Sequence, residues 1–424
     1  MTDPRSLFAA LFEAAVAAAD PALVIRDFLP GRPKGRVVVV GAGKASVPMA
    51  AAFDAAWDGA LAGVVVTRHG QGDGPIGAGG RIKVLEAAHP VPDEAGLRAS
   101  ARLFEAVRGL GPDDLVVALV SGGGSALLPS PPPGMRLADE IAVNEALLAS
   151  GAPIAAMNTV RKHLSAIKGG RLALAAHPAK VVSLVVSDIP GDNPAFVASG
   201  PTVADGAGRQ DALAIVEAYR LKLPEAAMRH LRSPAADAPS PADPRLAGNT
   251  VHVIASAARS LEAAAREAER RGVRAVILSD AVEGEARDVG GVHAAIAREI
   301  ATRDRPFDRP VVLLSGGETT VTLRGEGGRG GRNTEFLLAL ALAVDGVAGI
   351  HAFAADTDGI DGSGDNAGAF ADWTAAARMR AAGLDPRAAL ARHDARAAFA
   401  AVGDLFSPGP TGTNVNDIRA MFIS

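Results

Sequence analysis

The chain has 424 residues, 48% of them apolar, a net charge of -4 and no cysteine. That length accommodates two or more domains with sizeable cores, and the lack of cysteine excludes a disulfide framework, a thiolate nucleophile and a cysteine zinc site. The mild charge, with one Tyr, two Trp and 13 Phe, argues against the basic face and stacking platforms of a nucleic-acid binder.

At the start, Met1–Arg5 lacks the charged-then-apolar pattern of a signal peptide. The Ala-rich stretch 6–20 reads as a capped surface helix stopped by Pro21. No apolar run approaches the roughly 20 residues that span a bilayer, so a soluble, cytoplasmic protein is expected. Continuous apolar runs at 36–40, 63–67, 115–120, 181–186, 251–254, 273–278 and 311–314 predict strands covered on both faces. Ala-rich stretches with helical spacing lie between many of them. The alternation predicts an α/β fold of two domains, each a mostly parallel sheet flanked by helices. The segment 232–249, dense in Pro, Ala and Asp, reads as a linker or interdomain crossover, because a fresh series of strands begins after it, with a long surface loop within one domain as the plainer alternative. The domains are therefore placed at 1–240, Rossmann-like, and 241–424.

The chemistry-bearing residues cluster at predicted strand ends. Gly41-Ala42-Gly43-Lys44-Ala45-Ser46 follows the first strand and opens a helix; such a turn presents free N–H groups to an anion, and Lys44 adds a charge. It is neither a P-loop, because Ala45 follows Lys44, nor a clean dinucleotide fingerprint, because Ser46 stands where the third glycine belongs. A tight packing turn explains it equally well. Ser121-Gly122-Gly123-Gly124-Ser125 follows the strand at 115–120 and permits close backbone approach to a ligand, with a hinge as the competing reading. Ser315-Gly316-Gly317-Glu318 is the third such loop, followed by a hairpin around 320–323 and the glycine-rich run 327–333. Arg332 then starts a helix running to about Val344, beside Asn333, and its fork suits phosphate or carboxylate oxygens.

Two acidic groups complete the set. Asp188 and Asp192 flank Ile189-Pro190-Gly191, and Asp356, Asp358, Asp361 and Asp365 lie in ADTDGIDGSGDN. Alternating acids with glycines are hard oxygen ligands suited to Mg²⁺, although acidic glycine turns are also common as plain turns. The stretch 157–171 reads as a basic helix ended by Gly169-Gly170, with Arg161, Ser165 and Lys168 near one face, facing either an anion or solvent. His89 precedes a helix, as a site residue or a plain loop histidine.

These motifs, in this order, resemble the glycerate 2-kinase family, whose members are also labelled hydroxypyruvate reductase. The matching pieces are VVVVGAGKAS at 37–46, HPVPDE at 89–94, SGGGSALL at 121–128, MNTVRKHLSAIKGGRLA at 157–173, VVSDIPGDN at 185–193, ASGPTV at 198–203, SGGETTV at 315–321, GGRNTEF at 330–336, DTDGIDG at 356–362 and TGTNVNDI at 411–418. They cover nearly the whole chain. The resemblance implies transfer of the ATP γ-phosphoryl to the 2-hydroxyl of D-glycerate with Mg²⁺, on a larger α/β domain and a smaller MOFRL-type C-terminal domain enclosing a cleft. It also places the family's essential lysine on Lys44 and its essential arginine on Arg332. Asp188 and Asp358 join them as catalytic candidates. Gly41, Gly43, Ser121, Gly122, Gly123, Gly124, Ser125, Ser315, Gly316, Gly317, Glu318 and Asn333 are the expected nucleotide contacts, and Asp188, Asp192, Asp356 and Asp358 the expected metal ligands. One departure is IASAARS at 254–260, where glycine and asparagine are expected near Ala255–Ala257. An NAD(P)-dependent hydroxypyruvate reductase is the alternative. A non-catalytic sugar- or nucleotide-binding module is a further rival. The oligomeric state is left open, with a homodimer as a candidate.

Overall fold

The computed structural model describes residues 3–72, 74–77, 79–323 and 327–424. The chain forms two compact units, Val24–Ile254 and Met1–Leu23 with Ala255–Ser424.

The Val24–Ile254 unit is built on six strands: β1 (Val37–Ala42), β2 (Ala62–Arg68), β3 (Ile82–Ala87), β4 (Leu115–Ser121), β5 (Lys180–Ser187) and β6 (Thr250–Ser256). Their spatial order is β3-β2-β1-β4-β5-β6. The pairs from β3 through β5 are parallel; Val38 of β1 faces Ala62 of β2 and Val116 of β4. β1 and β4 are buried along their whole length, which is why both read as unbroken apolar runs. β3 escapes that pattern because Lys83 and Glu86 interrupt it at the sheet edge. The strand order reverses between β1 and β4, so loops leaving their carboxyl ends flank a crevice of the kind that takes ligands in open α/β sheets.

The proline-rich segment 232–249 is no free linker. Arg171 Nη2 donates to the Ala236 and Asp237 carbonyls, each at 3.0 Å, and His163 Nδ1 bonds Ala236 O at 2.8 Å. These bonds tie the segment to the first unit, and β6 then extends that unit's sheet. The compact division thus falls after Ile254, where the composition had placed a boundary at 240.

The second unit holds β7 (Arg274–Ser279), β8 (Gly284–Glu285), β9 (Val311–Gly317), β10 (Thr319–Thr320), β11 (Ile350–Asp356), β12 (Gly368–Asp372), β13 (Leu405–Phe406) and β14 (Asp417–Ile423). The main sheet runs β13-β12-β11-β14-β9-β7. Here the expectation of a mostly parallel sheet is corrected: β7 and β9 are parallel, while the other neighbours are antiparallel. The last strand, β14, inserts between β9 and β11 and runs against both, and β12 turns straight back beside β11. Helices cover both faces, so the strands are as apolar as parallel ones and direction leaves no mark in the residues. The expected hairpin at 320–323 is replaced by parallel pairing of β10 with β8.

Alternate residues of β9 serve opposite faces. Val311 and Leu313 pack with helices Ala286–Arg303 and Arg332–Ala343, and Val312 and Leu314 with helices Pro4–Ala17 and Ala257–Arg270. The N-terminal helix is therefore a core element and not the surface helix expected. Asp3 caps it at Ser6 N (2.9 Å), and Leu7, Phe8, Leu11, Phe12 and Ala15 form its buried face. Phe8 stacks on Phe353 of β11.

No single helix among the described residues is long and apolar enough to cross a membrane.

Candidate active site

In the first unit, the turns after β1 and β4 pack directly on each other. Lys44 N donates to Gly122 O (2.9 Å) and Ala45 N to Ser121 Oγ (3.0 Å). Gly43 N bonds Val66 O (3.1 Å) and Ser46 N bonds Gly43 O (3.2 Å). The consecutive N–H groups from Gly43 to Ser46 are thus already used inside the protein. This corrects the expectation of a free-amide anion cradle: what the turn offers is the half-buried Lys44 side chain. Gly41 is buried within β1 against Leu119. Gly43 holds φ at +134°, and a Cβ there would collide with Ser121, so this glycine is required by the apposition of the two turns.

The β4 turn in turn makes room for a carboxylate. A Cβ on Gly122 would overlap the carboxylate of Asp188, which follows β5, and one on Gly123 would approach Lys44 Cγ and His89 Nε2. Lys44, His89, Asp188 and the glycine backbone therefore converge at the carboxyl ends of β1, β4 and β5. Partial loss of water around the ring pushes the His89 pKa down, helped by the charges of Lys44 and Arg68, although the residue remains exposed. Asp192 lies in the next turn, with left-handed backbone (φ +53°) and its N–H on Ile189 O at 3.1 Å. Gly124 packs against Ala198, and Ser125 Oγ lies 3.0 Å from Ser199 Oγ.

The 157–171 stretch is two helices, Ile154–His163 and Arg171–Ala176, split by an irregular segment containing Ser165 and Lys168. Lys168 is enclosed, pairing with Glu140 at 2.8 Å and donating to Leu128 O at 3.1 Å, so it does not share a face with Arg161 as the spacing suggested.

The second unit centres on Arg332. Strand register sets Asp417 of β14 between Gly317 of β9 and Asp356 of β11, and helix Arg332–Ala343 begins at that end of the sheet. Arg332 Nε donates to Asp417 (2.8 and 3.0 Å), Nη2 to Asp356 (2.6 Å) and Nη1 to Glu318 (2.6 Å). Burial opposes its charge, but Asp417, Asp356 and Glu318 outweigh burial and raise its pKa. Asp356 is pushed well up by burial and by Asp417, with Arg332 opposing. Asp417 also accepts from Asn333 Nδ2 (2.8 Å) and from buried Arg419 Nη2 (2.7 Å), whose guanidinium lies over the Phe336 ring.

Asp361 closes the helix N-terminus. It accepts from Asn333 N and Thr334 N, each at 2.9 Å, and from Thr334 Oγ1 at 2.8 Å. A buried carboxylate thereby fills the amides that a phosphate would otherwise use. Asn333, expected as a nucleotide contact, is wholly enclosed and braces Asp361 and Asp417. Ser315 is also buried: His293 Nδ1 donates to Val289 O (2.9 Å), leaving Nε2 to accept from Ser315 Oγ (2.9 Å). Gly316 lies in β9, and at Gly317 (φ +113°) a Cβ would strike the Val282 backbone, so packing accounts for this glycine. Asp358 takes Ile360 N at 2.8 Å while its own N–H bonds Asp356 Oδ1, and Asp365 pairs with Arg396.

Among the described residues no three His, Asp or Glu side chains are arranged to hold a metal ion. Asp356, one of the expected metal ligands, is engaged by Arg332. Sequence reasoning missed Asp417 as a partner of Arg332. Asp417 stood in TGTNVNDI, just before the apolar run of β14, and that position was its one visible signal.

Residues 7–232 match the family described as "Domain of unknown function (DUF4147)", and residues 311–417 match the MOFRL family. An Agrobacterium vitis protein with the provisional name hydroxypyruvate reductase is 55% identical over 99% of this chain and 94% of its own length. The D-glycerate 2-kinase of Thermotoga maritima is 39% identical over 99% of each chain. The crystal structure of a Thermotoga maritima glycerate kinase superposes with a TM-score of 0.89 at 38% identity, covering 99% of each chain.

Proposed function

This chain belongs to the DUF4147–MOFRL family that includes the glycerate 2-kinases, and we propose on that premise that it transfers the ATP γ-phosphoryl to the 2-hydroxyl of D-glycerate. The observation that carries this reading is the end-to-end likeness in sequence and fold to the Thermotoga maritima kinase. The products are 2-phosphoglycerate and ADP.

Phosphoryl transfer asks mainly for positioning and charge neutralisation. In the first unit Lys44 would supply positive charge beside the Gly122–Gly124 backbone, and Asp188, against Gly122, would take the proton of the attacking hydroxyl. The hydroxyl oxygen bonds the γ-phosphorus as the bridging bond to ADP breaks. In the second unit Asp417 and Asp356 hold two edges of the Arg332 fork. Among the described residues its third edge meets exposed Glu318, and it is the one an ATP phosphate would take.

Mg²⁺ enters with the nucleotide in this reading. Such a complex needs only one or two protein carboxylates, since phosphates and waters supply the other ligands, and that fits residues that form no cage of their own. Asp192 of the first unit or Asp358 of the second would hold it, and the ion would neutralise charge on the phosphates. The cysteine-free chain fits a reducing cytoplasm.

The Agrobacterium relative's name keeps a reductase in view. Against it stand the committed amides from Gly43 to Ser46, where a bound dinucleotide would place its pyrophosphate. Purified protein assayed for D-glycerate-dependent ADP release, and separately for NAD(P)H oxidation by hydroxypyruvate, decides the matter. ADP release alone supports the kinase, and NAD(P)H oxidation alone overturns it.

A further inference from the structure

The cations on and after helix Ile154–His163 are not equivalent. Lys162 pairs with Asp205, and Lys168 with Glu140. Arg171 fills its fork with the carbonyls of Lys162, Lys168, Ala236 and Asp237. Arg161 has no such complement. Its Nε donates to Asn144 Oδ1 at 2.8 Å, and its Nη1 reaches Asn158 Oδ1 only at 3.5 Å. Among the described residues it forms no ion pair. Burial disfavours its charge and lowers its pKa, with only the charge of Glu140 opposing, and Glu140 is already held by Lys168. A guanidinium drawn out of water without a counter-charge is costly, and a planar anion that supplies the charge relieves the cost. The side chain is half-buried, so an anion can still reach it.

The surroundings connect Arg161 to the glycine turn after β4. Asn158 Oδ1 accepts from Ser199 Oγ at 2.9 Å, and Ser199 Oγ lies 3.0 Å from Ser125 Oγ. Ser125 follows Gly122, Gly123 and Gly124. Ala198 and Ser199 both hold left-handed backbone, at φ +52° and +59°, although neither is glycine. Gly124 packs so closely on this segment that a Cβ would come within 2.7 Å of Ala198 Cβ. Backbone strain of this sort persists where the surroundings over-determine it, and it gathers at ligand sites.

We propose that Arg161, braced by Asn144 and by the Ser125–Ser199–Asn158 hydrogen-bond chain, forms the subsite for the carboxylate of the phosphoryl acceptor, a small 2-hydroxy acid. This rests on the kinase reading above and adds to it the group that selects the acid. Asn144 aims the fork through Nε, which leaves the Nη edge for the two carboxylate oxygens. Such a subsite would favour the acid over glycerol, which has the same carbon skeleton but no carboxylate.

Steady-state kinetics of R161Q and R161K test it, with KM measured separately for D-glycerate and ATP and melting followed by circular dichroism. R161Q should raise the D-glycerate KM on the order of 10- to 100-fold, the span expected for losing hydrogen bonds to a charged group, while the ATP KM stays within about twofold. R161K keeps the charge but not the fork and should fall between. The preference for D-glycerate over glycerol should shrink in R161Q. An unchanged D-glycerate KM in either variant that melts like wild type overturns the subsite. If wild type releases no ADP with D-glycerate, the kinase reading fails separately, and calorimetry with D-lactate judges the subsite. Binding that weakens in R161K and is lost in R161Q keeps it, and equal binding in all three or none in wild type overturns it.

Discussion

At the scale of single residues, Arg332 shows how one side chain acquires a fixed direction. Two of its edges meet the buried carboxylates Asp417 and Asp356, and the third meets Glu318 at the surface. The two kinds of partner should behave differently when neutralised. D417N leaves Arg332 and Arg419 without their shared counter-charge, and breaking a buried pair of this type costs about 3–5 kcal/mol; a marked fall in melting temperature together with lost turnover is expected. E318Q removes an exposed partner worth under about 1 kcal/mol; stability should hold while the ATP KM falls a few-fold, because Nη1 no longer has to leave a carboxylate. An ATP KM that is unchanged or higher in E318Q would contradict the role given to that edge. Arg332, Glu318 and Asp356 were legible in the sequence as charged residues among glycines at strand ends. Asp417 was not, because what joins it to Arg332 is the register of β14 against β9 and β11, which no local pattern encodes. The Lys44 turn was legible as a motif but its chemistry was not: the neighbours that occupy its amides arrive from Val66 and from Ser121-Gly122.

At the scale of elements, helix Ala286–Arg303 is fastened to β9 through His293, which is buried and bonded to Ser315. Burial first, and the nearby Arg419 charge after it, hold the His293 pKa below its ordinary value. In the unfolded chain a histidine takes up its proton near pH 6.5, and the folded protein resists doing so. Stability from His293 is therefore fully present above about pH 6.5 and is lost as the pH falls through that value. Urea unfolding of wild type and H293Q should show wild type ahead at pH 7.5 and the gap narrowing by pH 5.5. A gap that widens on acidification would contradict the assignment. The predicted helix from Arg332 was found nearly as expected, since its apolar run Phe336–Leu340 is strong and its start is marked by glycines. The basic stretch 157–171 was read as one helix because its composition favours helix throughout. The break after His163 follows from tertiary partners, Lys168 with Glu140 and Gly169 N with Ser199 O, which lie elsewhere in the chain.

At the scale of the whole molecule, the alternation of apolar runs with Ala-rich helices was enough to read two α/β units. Strand direction in the second was hidden, because helices on both faces make antiparallel strands as apolar as parallel ones. The N-terminal helix was misplaced for a related reason: its apolar face is plain in the residues, but its partner surface lies beyond Ala255. Leu7, Phe8, Leu11, Phe12 and Ala15 join the core there, and Ser260 Oγ and Thr413 Oγ1 bond the Ala15 and Ala19 carbonyls at 2.8 Å. Burying each large side chain contributes about 1.5–3 kcal/mol, so the helix contributes an amount comparable to the whole stability of a domain. A chain beginning at Val24 should lose the cooperative melting of the Ala255–Ser424 region, read by calorimetry against the full chain. An unaltered melting profile would show that the helix is dispensable.

A glycerate 2-kinase is defined by the hydroxyl to which the phosphoryl group goes. Full-length protein incubated with ATP, Mg²⁺ and D-glycerate can be coupled to enolase with no mutase present, and phosphoenolpyruvate followed directly. Immediate phosphoenolpyruvate formation is the predicted result, because 2-phosphoglycerate is the enolase substrate. ADP release that yields phosphoenolpyruvate only after a mutase is added would mean transfer to the 3-hydroxyl and would contradict the account.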